Sequence, residues 1–301
     1  MIPRPYIPAK LLLRPLRRPR TAGHRRRILR QIPLLMKLPN LPVRALFTLQ
    51  LAAGLALAAP LPTLAAVPAV AAAPAAAPDH AAFDKLLKKH VNSKGQVNYK
   101  GFKADEKEFN QYLALLSKNA PAASWSKQEQ MAYWINAYNA YTIRLILDHY
   151  PVQSIKDIGS KIKIPFVTTP WAAKFFSIGG KKMSLDEIEH GTLRKKFNDP
   201  RIHFALVCAS VSCPSLRNEA YTAAKLDSQL DDQGRDFVNN PAKNKISKSS
   251  AQLSKYFDWY KGDWSENGQS VVKWVNKYST TKLDANAKID FLDYNWNLNE
   301  Q

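Results

Sequence analysis

The two cysteines of this chain, Cys208 and Cys213, lie five positions apart, and the first of them follows His203 by five positions. Residues of these types serve a disulfide, a metal site or a nucleophile with a neighbouring base. The CxxxxC spacing is wider than that of the usual zinc knuckle, and the sequence has no second close cysteine pair. The pattern therefore predicts no metal site and no cofactor, and leaves a disulfide or a nucleophile.

Cys213 is the better candidate for a nucleophile, because Pro214 is typical of the first position of a helix. A thiolate at a helix N-terminus is stabilised by the helix dipole, and Arg217 would add to that effect. A catalytic thiol also needs a base, which His203 or His190 would supply, with Glu189 as the carboxylate that orients it. The sequence thus allows a thiol-dependent acyl-transfer enzyme, either a peptidase or transglutaminase-like.

A disulfide is the alternative that we favour. The four residues between Cys208 and Cys213, ASVS, can turn the chain enough to bring the two Cα atoms within about 4.4–6.8 Å. The loop is short, so the bridge would add only about 2 kcal/mol through chain entropy. An exported chain also meets an oxidising compartment, in which disulfides persist.

The segment RIHFALVC predicts a buried strand, which would separate His203 from Cys208. Side chains alternate faces along a strand, and five residues at about 3.3 Å each would place these two roughly 16 Å apart. The two residues therefore cannot form a catalytic dyad within a regular strand.

Several polar residues are candidates for binding or for a supporting network. Asn136 and Asn139 fall in the middle of a predicted helix, where asparagine is a poor helix former. Charged residues of the motifs described below either bind a ligand or form a structural ion network with Glu189. The candidate binding residues are Asn136, Asn139, Arg194, Arg201 and Arg217.

Helical periodicity dominates the chain from Asp79 onward. Capping boxes at Ser126/Glu129 and Ser184/Glu187 mark the starts of two helices, and Thr222 is predicted to cap a third. Short strands are predicted at VNY, KIPFV (163–167) and KFFSI, and the alternation in FLDYNWNLN is typical of another. The predicted fold is α+β, a mainly helical single domain with a small sheet.

The first 78 residues predict export rather than a folded domain. Residues 1–35 are interpreted as an over-extended N-terminus, 36–66 as a signal peptide, 67–78 as an Ala/Pro-rich spacer and 79–301 as a single globular domain. An uncut membrane anchor at 45–66 and an arginine-rich binding arm are the less favoured alternatives. The protein is expected to be periplasmic or secreted, with no stable membrane span after signal cleavage.

The net charge of +20 does not predict a nucleic-acid partner, because most of the excess lies at the N-terminus. Residues 1–44 carry twelve of the 44 basic residues, which leaves 32 basic against 24 acidic residues, or about +8, in the rest of the chain. No phosphate-binding, dinucleotide-binding, serine-hydrolase or zinc-protease motif is present either.

Four strings, YWINAYNAY (133–141), MSLDEIEHGTLR (183–194), DPRIHFALVCASVSCPSLRNEAY (199–221) and YNWNLN (294–299), resemble the bacterial domain-of-unknown-function family 547. Their order and spacing cover nearly all of the chain after the spacer. Val207 departs from the pattern, since many relatives have Asn there. The resemblance implies an exported bacterial protein and brings no established reaction with it.

Two functions are compatible with these patterns. The first is an envelope-associated binding or scaffold domain for an unidentified ligand, peptide or carbohydrate, with Trp259, Tyr260 and Trp264 as an exposed aromatic cluster. The second is the thiol enzyme using Cys213 or Cys208. The first is favoured, and the redox state of the two sulfurs distinguishes them.

Overall fold

A computed structural model describes residues 76–159 and 169–301 of the chain. The predicted over-extended N-terminus, the signal peptide, most of the spacer and the predicted strand KIPFV lie outside the described residues. Within the two described ranges, no helix combines the length and the apolar character that a bilayer crossing requires.

Three amphipathic helices begin the described part: α1 (Ala81–His90), α2 (Tyr99–Ala104) and α3 (Glu106–Lys118). The predicted apolar faces of α1 and α3 are confirmed as buried. The brief strand predicted at VNY is confined to Val97, which forms β-bridges with Val91 and Glu300, because the side chain of Asn98 accepts a hydrogen bond from the backbone of Gly101 at 2.8 Å and starts α2. These helices bury the apolar side chains Phe83, Leu86, Leu87, Phe102, Phe109, Tyr112, Leu113 and Leu116.

The long helix α4 (Lys127–His149) runs through the core. Its predicted capping box is confirmed: Ser126 Oγ accepts from the Glu129 N–H at 3.1 Å, and Glu129 Oε2 accepts from the Ser126 N–H at 2.7 Å. The helix ends before Pro151. Most of its side chains are buried, including both asparagines of the YWINAYNAY string. A helix buried on nearly all sides fixes the position of whatever packs around it.

A hairpin and an interrupted helix follow α4. After α5 (Lys156–Gly159) and a 3₁₀ turn at Pro170–Ala172, strands β1 (Phe176–Ile178) and β2 (Lys181–Met183) pair antiparallel. The predicted Ser184 capping box starts α6 (Leu185–Ile188), which continues through a π-helical turn into α7 (Arg194–Phe197). The π turn comprises Glu189–Leu193.

The strand predicted for RIHFALVC is wrong, since Ile202–Ala205 form a short helix, α8. The Asp199 carboxylate accepts from the Arg201 N–H at 3.0 Å and so starts a helical turn. Beyond α8 the extended backbone pairs with the side chain of Asn139 rather than with a neighbouring strand. The Asn139 side chain thus makes the backbone hydrogen bonds that a neighbouring strand would have made in the predicted sheet.

The predicted helix beginning at Cys213 is also absent, and so is its dipole. Residues 214–217 are not helical, and the next helix, α9, is Leu226–Asn239. Thr222 does not cap it, because the N-cap position is Lys225, which makes no side-chain capping bond.

The C-terminal part supplies the second sheet. Strands β3 (Lys245–Ile246), β4 (Ser250–Leu253) and β5 (Lys288–Phe291) lie in that order, with β3 antiparallel and β5 parallel to β4. Between them come the helices α10 (Lys255–Trp259), α11 (Lys261–Trp264) and α12 (Val271–Tyr278). The α+β class, mainly helical with small sheets, is therefore confirmed.

Candidate functional site

The two cysteines are brought together. The Cys208 and Cys213 sulfurs lie at disulfide-bonding distance, and their Cα atoms are 6.3 Å apart, inside the usual range for a bridge. Both side chains are buried, with 8% of Cys208 and 1% of Cys213 exposed. The geometry agrees with the bridged alternative.

Hydroxyl groups and one backbone N–H surround the sulfurs. Cys213 Sγ accepts from the Cys208 N–H at 3.0 Å and lies 3.2 Å from Tyr294 Oη and 3.4 Å from Tyr256 Oη. Ser210 donates to Tyr294 Oη at 2.8 Å, which leaves the Tyr294 proton free to point at a sulfur. Burial raises the pKa of both Tyr256 and Tyr294, so both hydroxyls keep their protons at neutral pH.

The C-terminal tail (294–301) holds the cysteine loop in place. The Val211 N–H donates to Asn297 O at 2.8 Å, and the Asn299 N–H donates to Ala209 O at 3.2 Å. Tyr294 and the other inward residues of the tail alternate with exposed ones, as the pattern in FLDYNWNLN predicted, although the strand itself, β5, ends at Phe291. Backbone hydrogen bonds from the tail thus hold the cysteine loop in place.

Asn139 and Asn136 brace the chain that carries the site residues. Asn139 donates to Ala205 O at 2.9 Å and accepts from the Val207 N–H at 3.0 Å. Asn136 makes the same two contacts with the backbone of Tyr221, at 2.8 and 2.9 Å. Both asparagines are buried, so they serve the network that their mid-helix position suggested.

His203 belongs to a second buried cluster. One of its members, Asp263, was not among the residues predicted from sequence. His203 Nε2 lies 2.7 Å from Asp263 Oδ2, and Arg194 donates to both oxygens of the same carboxylate at 2.7 and 2.5 Å. Burial alone would raise the pKa of Asp263, but the hydrogen bonds from His203 and Arg194 outweigh it and hold that pKa far below its usual range. The aromatic residues around Asp263 in YKGDW are the sequence feature that could have indicated it.

Burial lowers the pKa of His203, which outweighs the opposing effects of Asp263 and Glu189. The ring is therefore neutral at neutral pH, its Nε2–H donates to Asp263, and its buried Nδ1 has no hydrogen-bond partner among the described residues. Tyr260 stacks on the imidazole with the ring centroids 3.6 Å apart. The His203 side chain is 1% exposed, so the described cluster gives it no open approach from solvent.

The π turn positions Glu189. Its Oε1 accepts from Tyr260 Oη at 2.6 Å and lies 3.9 Å from His203 Nδ1. His190 projects from the same turn to a half-exposed position, where its Nδ1 lies 3.1 Å from an Arg194 nitrogen. A π turn often occurs where a helix must direct side chains to a functional site.

Glu189, Arg194 and His203 therefore converge, with His190 beside Arg194, whereas Arg201, Arg217 and the two cysteines do not join them. Arg201 pairs with Asp199, Asp227 and Asp231, and Arg217 pairs with Glu219 and Asp232. The hydrogen bonds of the described residues connect neither cysteine to His203 or His190. Tyr256 and Tyr260, with ring centroids 5.6 Å apart, lie between the two clusters.

An aromatic surface covers the cysteine pair. We define the aromatic face as Trp171, Trp259, Tyr294 and Trp296, all half-buried, with Tyr294 in contact with both sulfurs. The Trp296 centroid lies 5.8 Å from that of Trp171 and 5.7 Å from that of Trp259. The exposed aromatic cluster predicted from sequence is wrong in two members, since Trp264 is fully buried and Tyr260 stacks on His203.

Among the described residues, no group of three or more His, Cys, Asp or Glu side chains is arranged to hold a metal ion. The family model described as "Protein of unknown function, DUF547" matches residues 122–238, which confirms the family resemblance over that part of the chain. No curated protein and no solved structure matches the chain.

Proposed function

We propose that this chain is an exported bacterial protein that binds an envelope glycan through the aromatic face, with its cysteine loop bridged beneath that face. The observation that carries the proposal is the convergence of Trp171, Trp259 and Trp296 at half-buried positions around Tyr294. Aromatic side chains that remain partly exposed in such a group are characteristic of ligand-binding surfaces.

The rings of the aromatic face and the lysine beside them favour a glycan over a peptide. Asn295 and Asn297 are exposed and alternate with the aromatic residues along the tail, so their neutral amides lie on the side of the tail that faces away from the rings. Sugar rings offer apolar C–H faces to aromatic rings. Lys156, with Nζ 5.1 Å from the Trp296 centroid, adds one positive charge for an acidic sugar.

The thiol acyl-transfer enzyme stays a prediction, because no contact among the described residues supports it. A catalytic cysteine needs a base within hydrogen-bond reach, whereas Cys213 contacts hydroxyls and His203 Nε2 contacts Asp263. Iodoacetamide labelling of the unreduced protein, followed by mass spectrometry, separates the two functions. Rapid alkylation of one sulfur at pH 6 would support the enzyme, and a mass two units below that of the reduced chain would support the bridge.

The binding proposal is tested with purified cell-wall sacculi and the full chain. Trp259→Ala and Trp296→Ala should each lower the bound fraction at least tenfold in a sedimentation assay, because each removes one aromatic surface from the contact. Trp274→Ala is the matched control, since Trp274 is also half-buried but packs on Trp264 and Tyr278 instead.

Equal binding by Trp296→Ala and Trp274→Ala would contradict the proposal, provided that both variants show the near-ultraviolet spectrum of the folded protein. Soluble peptides from a digested wall, added as competitors, distinguish the ligand class. Release by peptides but not by glycan fragments would replace the glycan with a peptide.

A further inference from the structure

We propose that the Cys208–Cys213 bridge is a thiol–disulfide exchange site that reacts with a dithiol protein, with Cys208 as the attacked sulfur and Cys213 as the leaving thiolate. This goes beyond glycan binding and rests on different residues. It follows from the hydrogen-bond donors that converge on Cys213 and from the unequal exposure of the two sulfurs.

Three hydrogen-bonding groups lie around Cys213 Sγ: the Cys208 N–H at 3.0 Å, Tyr256 Oη at 3.4 Å and Tyr294 Oη at 3.2 Å, the last of which is also 3.3 Å from Cys208 Sγ. A disulfide sulfur is a weak acceptor, whereas a thiolate accepts charge-assisted bonds that are considerably stronger. The donors therefore stabilise the reduced, anionic state of Cys213 more than the bridged state. A thiol whose anion is stabilised has a lowered pKa and leaves faster in exchange.

A positive charge lies beside the same residue. The Lys243 ammonium donates to the backbone oxygen of Cys213. Burial lowers the pKa of Lys243 to about 8, so the amine still carries its proton at pH 7. This cation favours negative charge at Cys213, and the effect declines as the pH rises above about 8.

The burial of the two cysteines favours attack at the Cys208 sulfur. Both cysteines are buried, but Cys208 retains 8% of its residue surface and Cys213 only 1%, so Cys208 is the less buried of the two for an incoming thiolate. Attack at Cys208 makes Cys213 the leaving group, which is the sulfur that the three donors stabilise. Exposure and stabilisation thus favour the same direction of reaction.

The exchange reaction needs no cofactor. A thiolate of the dithiol protein attacks Cys208 Sγ, the S–S bond breaks and its electron pair stays on Cys213 as a thiolate. The second thiol of the partner then attacks the mixed disulfide and releases Cys208 as a thiol. The partner loses two electrons and forms its own disulfide, the pair gains them, and the partner's two thiol protons pass to the released cysteines or to water.

The experiment uses the full chain with glutathione as the probe. In Cys208→Ala, the thiolate absorbance at 240 nm should titrate well below pH 8, compared with about 8.5 for an ordinary cysteine. Cys213→Ala should form a mixed disulfide with oxidised glutathione at Cys208. In the two-cysteine protein, Tyr294→Phe should shift the glutathione equilibrium about tenfold toward the bridge, because it removes one bond to a charged sulfur.

Tyr141→Phe is the matched control, because its hydroxyl donates to Leu113 O at a distant site. A Cys213 pKa at or above 8.5, or an equal equilibrium in the two tyrosine variants, would overturn the proposal. If a single-cysteine variant does not fold, the Tyr294→Phe comparison tests the same point with both cysteines present. Loss of glycan binding in the tryptophan variants does not affect these outcomes.

Discussion

At the scale of single residues, burial keeps two histidines of this protein, His80 and His203, neutral. His80 is 8% exposed, and its Nδ1 lies 2.8 Å from the Tyr112 hydroxyl. Burial lowers its pKa to about 4, against the smaller opposing effect of Asp79. Between pH 6.5 and 4 the unfolded chain is protonated at this residue while the folded chain is not.

We predict that the free energy of unfolding falls as the pH drops from 6.5 to 4, with about 3 kcal/mol of the fall due to His80. His80→Gln should remove that part of the pH dependence, which urea unfolding at several pH values measures. His149→Gln is the control, since the hydrogen bond of His149 within the described residues joins a carbonyl of its own helix at 3.0 Å. Parallel pH curves for His80→Gln and the parent protein would refute the assignment.

A second residue-scale prediction concerns the brace formed by Asn139. Asn139→Leu leaves the Ala205 carbonyl and the Val207 N–H buried without their partner. We expect a loss of about 3 kcal/mol in unfolding free energy, since each unpaired buried group costs about 1–3 kcal/mol. Thr142→Val, one turn later in α4, should cost less than about 1 kcal/mol, because its hydroxyl donates only to the helix carbonyl of Tyr138. Similar losses in both variants would show that the brace is not specific.

At the scale of elements, the π turn at Glu189–Leu193 is the feature that forms the buried cluster. It allows Glu189 to reach Tyr260 while Arg194, on the next turn, reaches Asp263. A regular α-helix would rotate the residues on one side of the turn by about 100° relative to those on the other.

Deletion of Gly191 should therefore separate Glu189 from Arg194 and lower the midpoint of thermal unfolding by 10 °C or more, as circular dichroism would measure. Gly191→Ala keeps the register and is the matched control. An added Cβ there meets only Glu187 Cβ, at 3.8 Å, and alanine is the better helix former. A deletion variant as stable as Gly191→Ala would show that the register of the π turn does not matter.

The elements that were predictable from sequence are those with local signals. The capping boxes at Ser126 and Ser184 specify their helices through residues three positions apart, so both starts were predicted correctly. The short helix α8 was missed because Asn139, far away in sequence, satisfies the backbone that a strand would have paired. For the same reason the sequence named His203 and Glu189 as candidates but not Asp263, whose contact with His203 spans 60 residues.

At the scale of the whole molecule, distant segments meet around the cysteine loop. The turn at Gly95 packs against the chain just after Cys213: a Cβ added at Gly95 would lie 2.6 Å from Leu216 N and from Ser215 Cα. Gly95 also has φ +73°, a conformation that favours glycine. Only glycine therefore lets the N-terminal helices approach this segment so closely.

We predict that Gly95→Ala costs at least about 2 kcal/mol of unfolding free energy, from backbone strain and from the collision. Gly180→Ala separates the two causes, because Gly180 has φ +76° but no atom within 4 Å of the added Cβ. It should cost only about 1 kcal/mol. Equal losses of unfolding free energy in the two variants, measured by chemical unfolding, would mean that the collision at Gly95 does not affect stability.

The position of the tail in the chain has a consequence for the timing of folding. Residues 294–301 are synthesised well after the cysteine loop, yet they pair with that loop and with Val97, near the start of the described chain. At about 5–20 residues per second, the ribosome adds the tail roughly 5–20 s after Cys208. During that interval the two sulfurs lack the Tyr294 hydroxyl and the cover of the tail. The growing chain thus passes through a stage in which its cysteines are uncovered, and pairing of residues 294–301 with the cysteine loop ends that stage.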